Sequence, residues 1–314
     1  MREELQDRAF VFPIFSGLFF LLKYAGSAIG EDEGEYEKNL VSNFVNETKE
    51  HGDPIHYSRA LAMEVEMNYR LGKWEGALES QEKIEDIYVV EEHSAKISEV
   101  YASDRVAQSF GISAICYIRL GQTQNVHKVC DFVLKDLMPK MDITNVHNSM
   151  ICLYRVIWAL KDYGRVAEAR YAFRAYILQA FQDHYGEDSS TPTLAFFKPI
   201  EVLLEIFDEE VSEMWDEYIN WVLDDENRKI SPFVNNSMIS IARDLDSIFA
   251  EICLILMKGI NDERKELLIR TGLDLATNSM DMMQGDDGSI KHVFAFSQVK
   301  PIFDALKSSS EKEE

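Results

Sequence analysis

A glycine recurs along the first half of the chain at intervals of 43 to 49 residues. Each one follows a stretch whose apolar residues are three or four positions apart, which is the period of an amphipathic α-helix. The glycines are Gly26, Gly72, Gly121 and Gly164. Five positions after each of the last three lies a small or apolar residue, and these residues are Ala77, Val126 and Ala169. Because glycine can adopt the left-handed conformation that ends a helix, the pattern predicts helix pairs that repeat along the chain.

Glycine and proline are otherwise scarce, at 15 and 7 of 314 residues, whereas an all-β chain of this length needs many more turns. A small residue one turn into the second helix of each pair lets the two helices approach closely. A single pair cannot bury its apolar faces alone, so several pairs must stack. The predicted fold is therefore all-α, a superhelical array of antiparallel helix hairpins.

We expect one repeat domain over residues 1–307, followed by a disordered tail over 308–314. The repeats are clearer over 9–180, whereas 192–307 holds divergent repeats and a cap. There, Gly259 is expected to make the same turn as the earlier glycines. The helices expected in this second part are a pair over 193–223, a pair over 236–277 and a closing helix over 291–307.

The chain is acidic, with 55 Asp and Glu against 32 Lys and Arg and a net charge of −23. This balance disfavours nucleic acid, because phosphate binding needs clustered cations, and it also disfavours an anionic membrane surface. Residues 199–227 carry eleven acidic side chains and no basic one. They form either a solvated helix face or a docking face for a basic partner.

Residues 9–22 carry no charge, but these 14 residues are too few for a membrane-spanning helix, which needs about 20. We expect instead a helix that begins near Pro13 and is buried by its neighbours. The first residues hold more acid than base, unlike a signal peptide.

Four cysteines lie singly in apolar stretches, which favours a reducing compartment and hence a cytoplasmic protein.

Motifs that carry chemistry are missing from the sequence. It contains no phosphate-binding GxxxxGK[ST] loop, no HExxH metal motif and no GxSxG nucleophile elbow. A GDDGS segment resembles the centre of a calcium loop, but Met283 and Phe294 stand where the outer ligands belong. The seven histidines are dispersed. We therefore expect no catalytic residue, no bound metal, no cofactor and no enzyme activity.

One kind of binding site can be sought on the first helices of the pairs, over residues 59–69, 109–120 and 148–160. Their cationic and amide side chains could line a groove, and they are Arg59, Asn68, Arg119 and Arg155. These side chains are scattered rather than stacked. With a net charge of −23, a basic or amphipathic helical partner is favoured over an acidic peptide.

The segments 69–77 (YRLGKWEGA) and 162–169 (DYGRVAEA) resemble the helix–turn–helix junction of tetratricopeptide (TPR) repeats. In the best repeat, the positions that match TPR spacing are Phe110, Ala114, Tyr117, Gly121, Val126 and Cys130. The chain departs from TPR in its period, which is 43 to 49 residues rather than 34, and in Glu64 and Asn68, which replace a leucine and an aromatic residue. The resemblance implies a TPR-like α-solenoid with lengthened helices or loops.

A closer resemblance is to the irregular TPR-like region that follows signal-transduction ATPase modules, often in chains that also carry a class III adenylate or guanylate cyclase. It rests on the apolar segment 13–24, the glycine hairpin after it and the segment 93–104, and it covers residues 9–180. The ATPase and cyclase domains of that family are not in this sequence. The resemblance implies a protein-interaction scaffold or regulatory module whose partners include an ATPase or cyclase module. The alternative is a domain that senses a small-molecule effector in such a signalling protein.

Overall fold

The described structure consists of helices joined by turns and short loops. In a computed structural model of the chain, the described residues are 11–19, 33–102, 104–141, 146–179, 192–206, 214–228, 239–282 and 293–311. These ranges contain no strand, so the predicted all-α class is confirmed for them. The chain divides into two compact units, Met1–Gly186 and Glu187–Glu314. The prediction of one continuous array over 1–307 concerns the arrangement of these units and stays a prediction.

The first unit contains nine described α-helices. They are α1 (11–19), α2 (Glu33–His51), α3 (Pro54–Arg70), α4 (Trp74–Glu85), α5 (Val90–Tyr101), α6 (Arg105–Arg119), α7 (Thr123–Phe132), α8 (Val146–Asp162) and α9 (Val166–Ala172). A π-helical turn continues α7 over Val133–Leu137, and another continues α9 over Phe173–Leu178. The extra helix α5 lies between the pair α3–α4 and the pair α6–α7, which explains why the spacing of 49 residues is the longest.

Three of the four predicted turns lie in the described residues, between α3 and α4, between α6 and α7, and between α8 and α9. Their glycines all adopt the left-handed conformation, with φ of +71° at Gly72, +68° at Gly121 and +74° at Gly164. Each glycine amide donates to the carbonyl three residues earlier over 3.0–3.1 Å. The next amide donates to the carbonyl five residues earlier, over 2.9 Å at Lys73, 2.9 Å at Gln122 and 2.8 Å at Arg165. This pair of bonds is the Schellman motif, which satisfies the last carbonyls of the first helix.

The second helix of each pair starts in the same way after the glycine. The amides of Ala77, Val126 and Ala169 donate to the carbonyl of the residue that follows the glycine, over 3.0, 3.2 and 3.0 Å. All three side chains are buried, with 0, 1 and 0% exposed. The same local structure is thus built three times. The fourth glycine, Gly26, lies outside the described residues.

The first helices of these pairs, α3, α6 and α8, pack on one another in sequence, α3 on α6 and α6 on α8. Gly111 allows the second contact, because a Cβ atom at this position would lie 2.8 Å from the carbonyl oxygen of Cys152 in α8. The start of α6 is fixed by the buried Asp104, whose Oδ1 accepts from the amides of Val106 and Ala107. Its Oδ2 accepts from the Tyr88 hydroxyl over 2.6 Å. Backbone capping and a hydrogen bond to the loop between α4 and α5 therefore share one carboxylate.

The N-terminal helix α1 packs on α2 and α3 through one face only. Its buried side chains are Phe12, Ser16 and Phe19, and the shared core includes Val41, Phe44, Ala60 and Met63. The expectation of a buried helix near Pro13 thus holds for this face. On the other side Val11, Ile14 and Leu18 are 43, 57 and 37% exposed. The uncharged run could not show this, since a helix that is apolar all round has no pattern that distinguishes its two faces.

The second unit contains six described helices, which are α10 (Pro192–Ile206), α11 (Trp215–Leu223), α12 (Asp225–Arg228), α13 (Ile239–Leu256), α14 (Arg264–Asp281) and α15 (Val293–Ser310). Helix α13 is central, because it packs against α10, α11, α14 and α15. The predicted pairs and closing helix correspond to these elements.

The expectation that Gly259 repeats the left-handed turn is wrong. Gly259 ends a 3-10 turn, Met257–Gly259, and is not in the left-handed region. A Cβ atom at Gly259 would lie 1.7 Å from Cζ3 of Trp215. Glycine is therefore required here for space rather than for conformation.

Candidate functional site

The four residues predicted to line a groove on the first helices lie in four different environments. Arg59 of α3 is 1% exposed, and its Nη2 donates to Ser16 Oγ of α1 over 2.8 Å. Asn68 is half-buried against α4. Its amide nitrogen would lie 3.4 Å from a Cβ atom placed on Gly76 of that helix. Arg119 is exposed at the end of α6. The guanidinium of Arg155 in α8 lies 5.7 Å from the centre of the Tyr69 ring. A partner could reach Arg119 directly, but not Arg59.

Arg59 belongs to a buried polar cluster beneath α1. Its Cζ lies 5.5 Å from the centre of the Tyr101 ring, and Arg105 pairs with Glu66 at 3.9 Å. Burial lowers the pKa of Arg59 to about 10, and Arg105 adds to this effect, whereas Glu66 opposes it. The cluster links α1, α3, α5 and α6. Its position indicates a role in holding these helices together.

A second pairing between α1 and the helices below it involves His56 at the start of α3. Its ring lies 4.7 Å from that of Phe12 in α1, and its Nδ1 is 2.6 Å from the Tyr101 hydroxyl of α5. Burial lowers the pKa of His56, and the carboxylate of Asp53, which caps α3, partly offsets this effect. His56 is therefore neutral when α1 is packed at neutral pH.

The acidic segment 199–227 is only partly described, because residues 207–213 lie outside the described ranges. Within the described part, Glu205 accepts a hydrogen bond from the Tyr218 hydroxyl, and Asp216 pairs with Arg264 at 2.7 Å. Five of the seven described carboxylates are nevertheless exposed, which fits a largely solvated face, and they are Asp216, Glu217, Asp224, Asp225 and Glu226. A docking face for a basic partner stays the alternative.

Nucleophilic chemistry finds little support in the described residues. All four cysteines are buried free thiols, and burial raises the pKa of each to about 12. A buried thiol of this kind is protonated and a poor nucleophile at neutral pH.

Among the described residues, no three His, Cys, Asp or Glu side chains are placed to hold a metal ion. No helix among them is long and apolar enough to cross a membrane.

Among the described residues, an open groove lies where α1 meets α2. The groove of about 510 Å³ is lined by Val11, Phe12, Phe15, Asn43, Asn46 and Glu47. Beside it lies the exposed apolar face of α1 described above. One feature of the sequence could have indicated this surface, since an uncharged run of 14 residues is more apolar than one buried helix face requires. We call the exposed face of α1 and the adjoining face of α2 the α1–α2 surface.

Comparison with models of known protein families finds no match, and the same holds for comparison with curated proteins and with solved structures.

Proposed function

We propose that the chain is a non-catalytic scaffold or regulatory module that binds protein partners through a TPR-like array of antiparallel helix hairpins. The observation that carries this proposal is the threefold repetition of one turn, with a left-handed glycine, the same two capping bonds and a buried small residue five positions on. Repeating helix pairs of this kind present extended surfaces that suit protein recognition. The buried, protonated thiols are consistent with a role that is not catalytic.

The continuous packing of α3, α6 and α8 supports the same proposal. Helices that stack in sequence expose one helix face per pair on a common side, which is how solenoids form a binding surface. The acidic net charge favours partners with basic segments, because complementary charge raises the association rate.

The test is capture of partners by the immobilised full chain, followed by calorimetric titration of each purified candidate. We expect a saturable complex of defined stoichiometry. A partner at 100 times its Kd should raise the free energy of unfolding by about 2.7 kcal/mol. Effector sensing would be supported instead if no protein saturates the chain while a small metabolite gives this stabilisation.

A matched pair of variants asks whether binding depends on the repeated turn. Nothing lies within 4 Å of a Cβ at Gly121, so a substitution there acts through backbone conformation alone. Asparagine tolerates the left-handed region, whereas a β-branched residue does not. We expect Gly121→Asn to retain partner binding and Gly121→Val to weaken it. If both variants bind the partner equally, partner recognition does not depend on the repeated turn.

A further inference from the structure

We propose that the α1–α2 surface binds the apolar face of an amphipathic helix whose flank carries lysine or arginine. This inference rests on the proposed function, since it names the surface and the class of partner. It differs from the groove on α3, α6 and α8 expected from the sequence.

The apolar half of the surface comes from α1. Val11, Ile14 and Leu18 follow one another at spacings of three and four residues, so they form a ridge along two helical turns. Their exposed fractions of 43, 57 and 37% contrast with 3% for Phe12 and 0% for Phe19 on the opposite face. Anchors at this spacing are those that a helix lying in a groove contacts. The ridge is therefore long enough for about two turns of a partner helix.

The polar half comes from one face of α2. Six exposed side chains share this face at helical spacing, and they are Tyr36, Asn39, Asn43, Asn46, Glu47 and Glu50. Lys38 and Lys49 project from a different side of the helix, about 100° or more away from the centre of this face. Among the residues that the structure describes, this face combines amide groups, which hydrogen-bond to any polar side chain, with two carboxylates, one of which, Glu50, lies 3.5 Å from His51 Nε2.

The charge of this face selects the partner. A helix with basic residues along its flank gains attraction to Glu47 and Glu50 while its apolar residues cover the ridge. A helix with an acidic flank meets repulsion from the same two carboxylates. A second copy of the chain presents the same carboxylates to itself, and each copy has a net charge of −23. The basic amphipathic helix therefore fits best.

The test uses two designed helical peptides of about 18 residues, each with leucine at positions i, i+3, i+4 and i+7 of every repeat. One carries lysine at the remaining positions and the other carries glutamate. Fluorescence anisotropy with the full chain should show saturable binding of the lysine peptide that weakens with salt. The double variant Ile14→Ser/Leu18→Ser should bind it at least about tenfold more weakly. The variant Glu47→Gln/Glu50→Gln should bind about threefold more weakly and depend less on salt.

Matched control variants distinguish binding at this surface from nonspecific binding of the lysine peptide. Leu71 and Val100 are similarly exposed apolar residues elsewhere in the first unit, and Glu79 and Glu82 of α4 repeat the spacing of Glu47 and Glu50. We expect Leu71→Ser/Val100→Ser and Glu79→Gln/Glu82→Gln to bind the lysine peptide as the parent chain does. Circular dichroism should show an unchanged fold, since all these side chains are exposed.

The proposal would be overturned by equal binding of the glutamate peptide, by equal losses in the control variants, or by light scattering that shows a dimer which Ile14→Ser/Leu18→Ser converts to a monomer. The last result would assign the surface to a second copy. A captured protein partner that still binds Ile14→Ser/Leu18→Ser would reject the α1–α2 surface and leave the scaffold function standing. If the lysine peptide binds as predicted but the chain captures no protein partner, the α1–α2 surface stands and the scaffold function is rejected.

Discussion

Four of the described turns, three in the first compact unit and one in the second, contain glycine for two different physical reasons. In Met1–Gly186, three reversals use a left-handed glycine around which a Cβ atom would meet nothing closer than 3.7 Å. In Glu187–Glu314, the reversal between α13 and α14 uses Gly259, which is not left-handed and lies against the Trp215 ring. The amide of Arg264 then donates to Asp262 Oδ1 over 2.9 Å at the start of α14. The same sequence pattern, a helix followed by glycine and another helix, therefore reflects a need for conformation at Gly72, Gly121 and Gly164 and a need for space at Gly259.

The largest effect that sharpens this comparison is expected for Gly259→Ala. The new methyl group would overlap the Trp215 ring, at 1.7 Å from Cζ3, so the ring must leave its site. Overpacking of this kind costs about 2–3 kcal/mol. Urea unfolding monitored by tryptophan fluorescence measures the loss, and a changed native emission would report the moved ring. The comparison variant is Gly164→Ala, where no atom lies within 4 Å of the new methyl group and only the smaller conformational cost of φ +74° applies. Equal losses in the two variants would abolish the distinction between the two kinds of turn.

A second prediction concerns Asp246 of α13, in the second unit. Burial raises the pKa of this carboxyl from 3.8 to about 6, so the folded state retains a proton that the unfolded state loses. Stability is therefore present below pH 3.8 and is lost as the pH rises to about 6. Asp246→Asn should raise the free energy of unfolding at pH 7 by about 2 kcal/mol, a value reduced for the part of the side chain in solvent.

Urea titrations of the Asp246→Asn variant and the parent chain at pH 4 and pH 7 measure this difference. The gain should largely vanish at pH 4, because aspartic acid is then protonated in the folded state. Asp274→Asn, on an exposed face of α14, serves as the control and should change little. A gain that is equal at both pH values would exclude the carboxylate charge as its cause.

The turn glycines of the first unit should show a smaller, purely conformational effect. Gly121→Ala places an L-residue at φ +68°, which costs about 1–2 kcal/mol although the site has room for the methyl group. Gly121→Asn should cost less, since asparagine visits this region more readily. Thermal unfolding of both variants gives the two values. A larger loss for asparagine would show that the site is limited by space after all.

The glycine turns of the first unit could be predicted because conformation leaves a local trace in the sequence. A residue that must be left-handed at the end of an apolar helix appears as Gly72, Gly121 or Gly164, with a small residue at a fixed offset. The role of Gly259 could not be predicted in this way. Its requirement comes from Trp215, 44 residues earlier, and only the packed structure brings the two together.

The residues of the proposed binding surface were less predictable than the turns. Arg59 has the spacing of a residue on the first helix of a pair, but α1 lies over it and Ser16 accepts its hydrogen bond, so it is buried. The ridge of Val11, Ile14 and Leu18 was hidden because the whole run 9–22 is apolar. Periodicity predicts where a helix has a face, whereas the fold decides which faces are covered.

The smallest predicted effect is the pH dependence of the packing between α1 and α3. His56 contacts Phe12 of α1, Tyr101 of α5 and the capping residue Asp53, and burial lowers its pKa below 6.5. The unfolded chain therefore binds the proton more readily, so the contribution of neutral His56 is complete above pH 6.5 and is lost as the pH falls below it. This sign is opposite to that of Asp246 in the other unit. Asp53 offsets part of the effect of burial, which is why we expect the effect to be small.

Amide hydrogen exchange of residues 11–19 between pH 5 and pH 7 measures this dependence, after correction for the intrinsic exchange rate. Protection should rise with pH in the parent chain and should be flat in His56→Gln, which keeps a hydrogen-bonding side chain without a titrating ring. His93, on α5 and also in contact with an aromatic ring, provides the matched control His93→Gln. If protection is flat in the parent chain, or remains pH-dependent in His56→Gln, then His56 does not couple pH to α1. The contrast in sign between the two units would then rest on Asp246 alone.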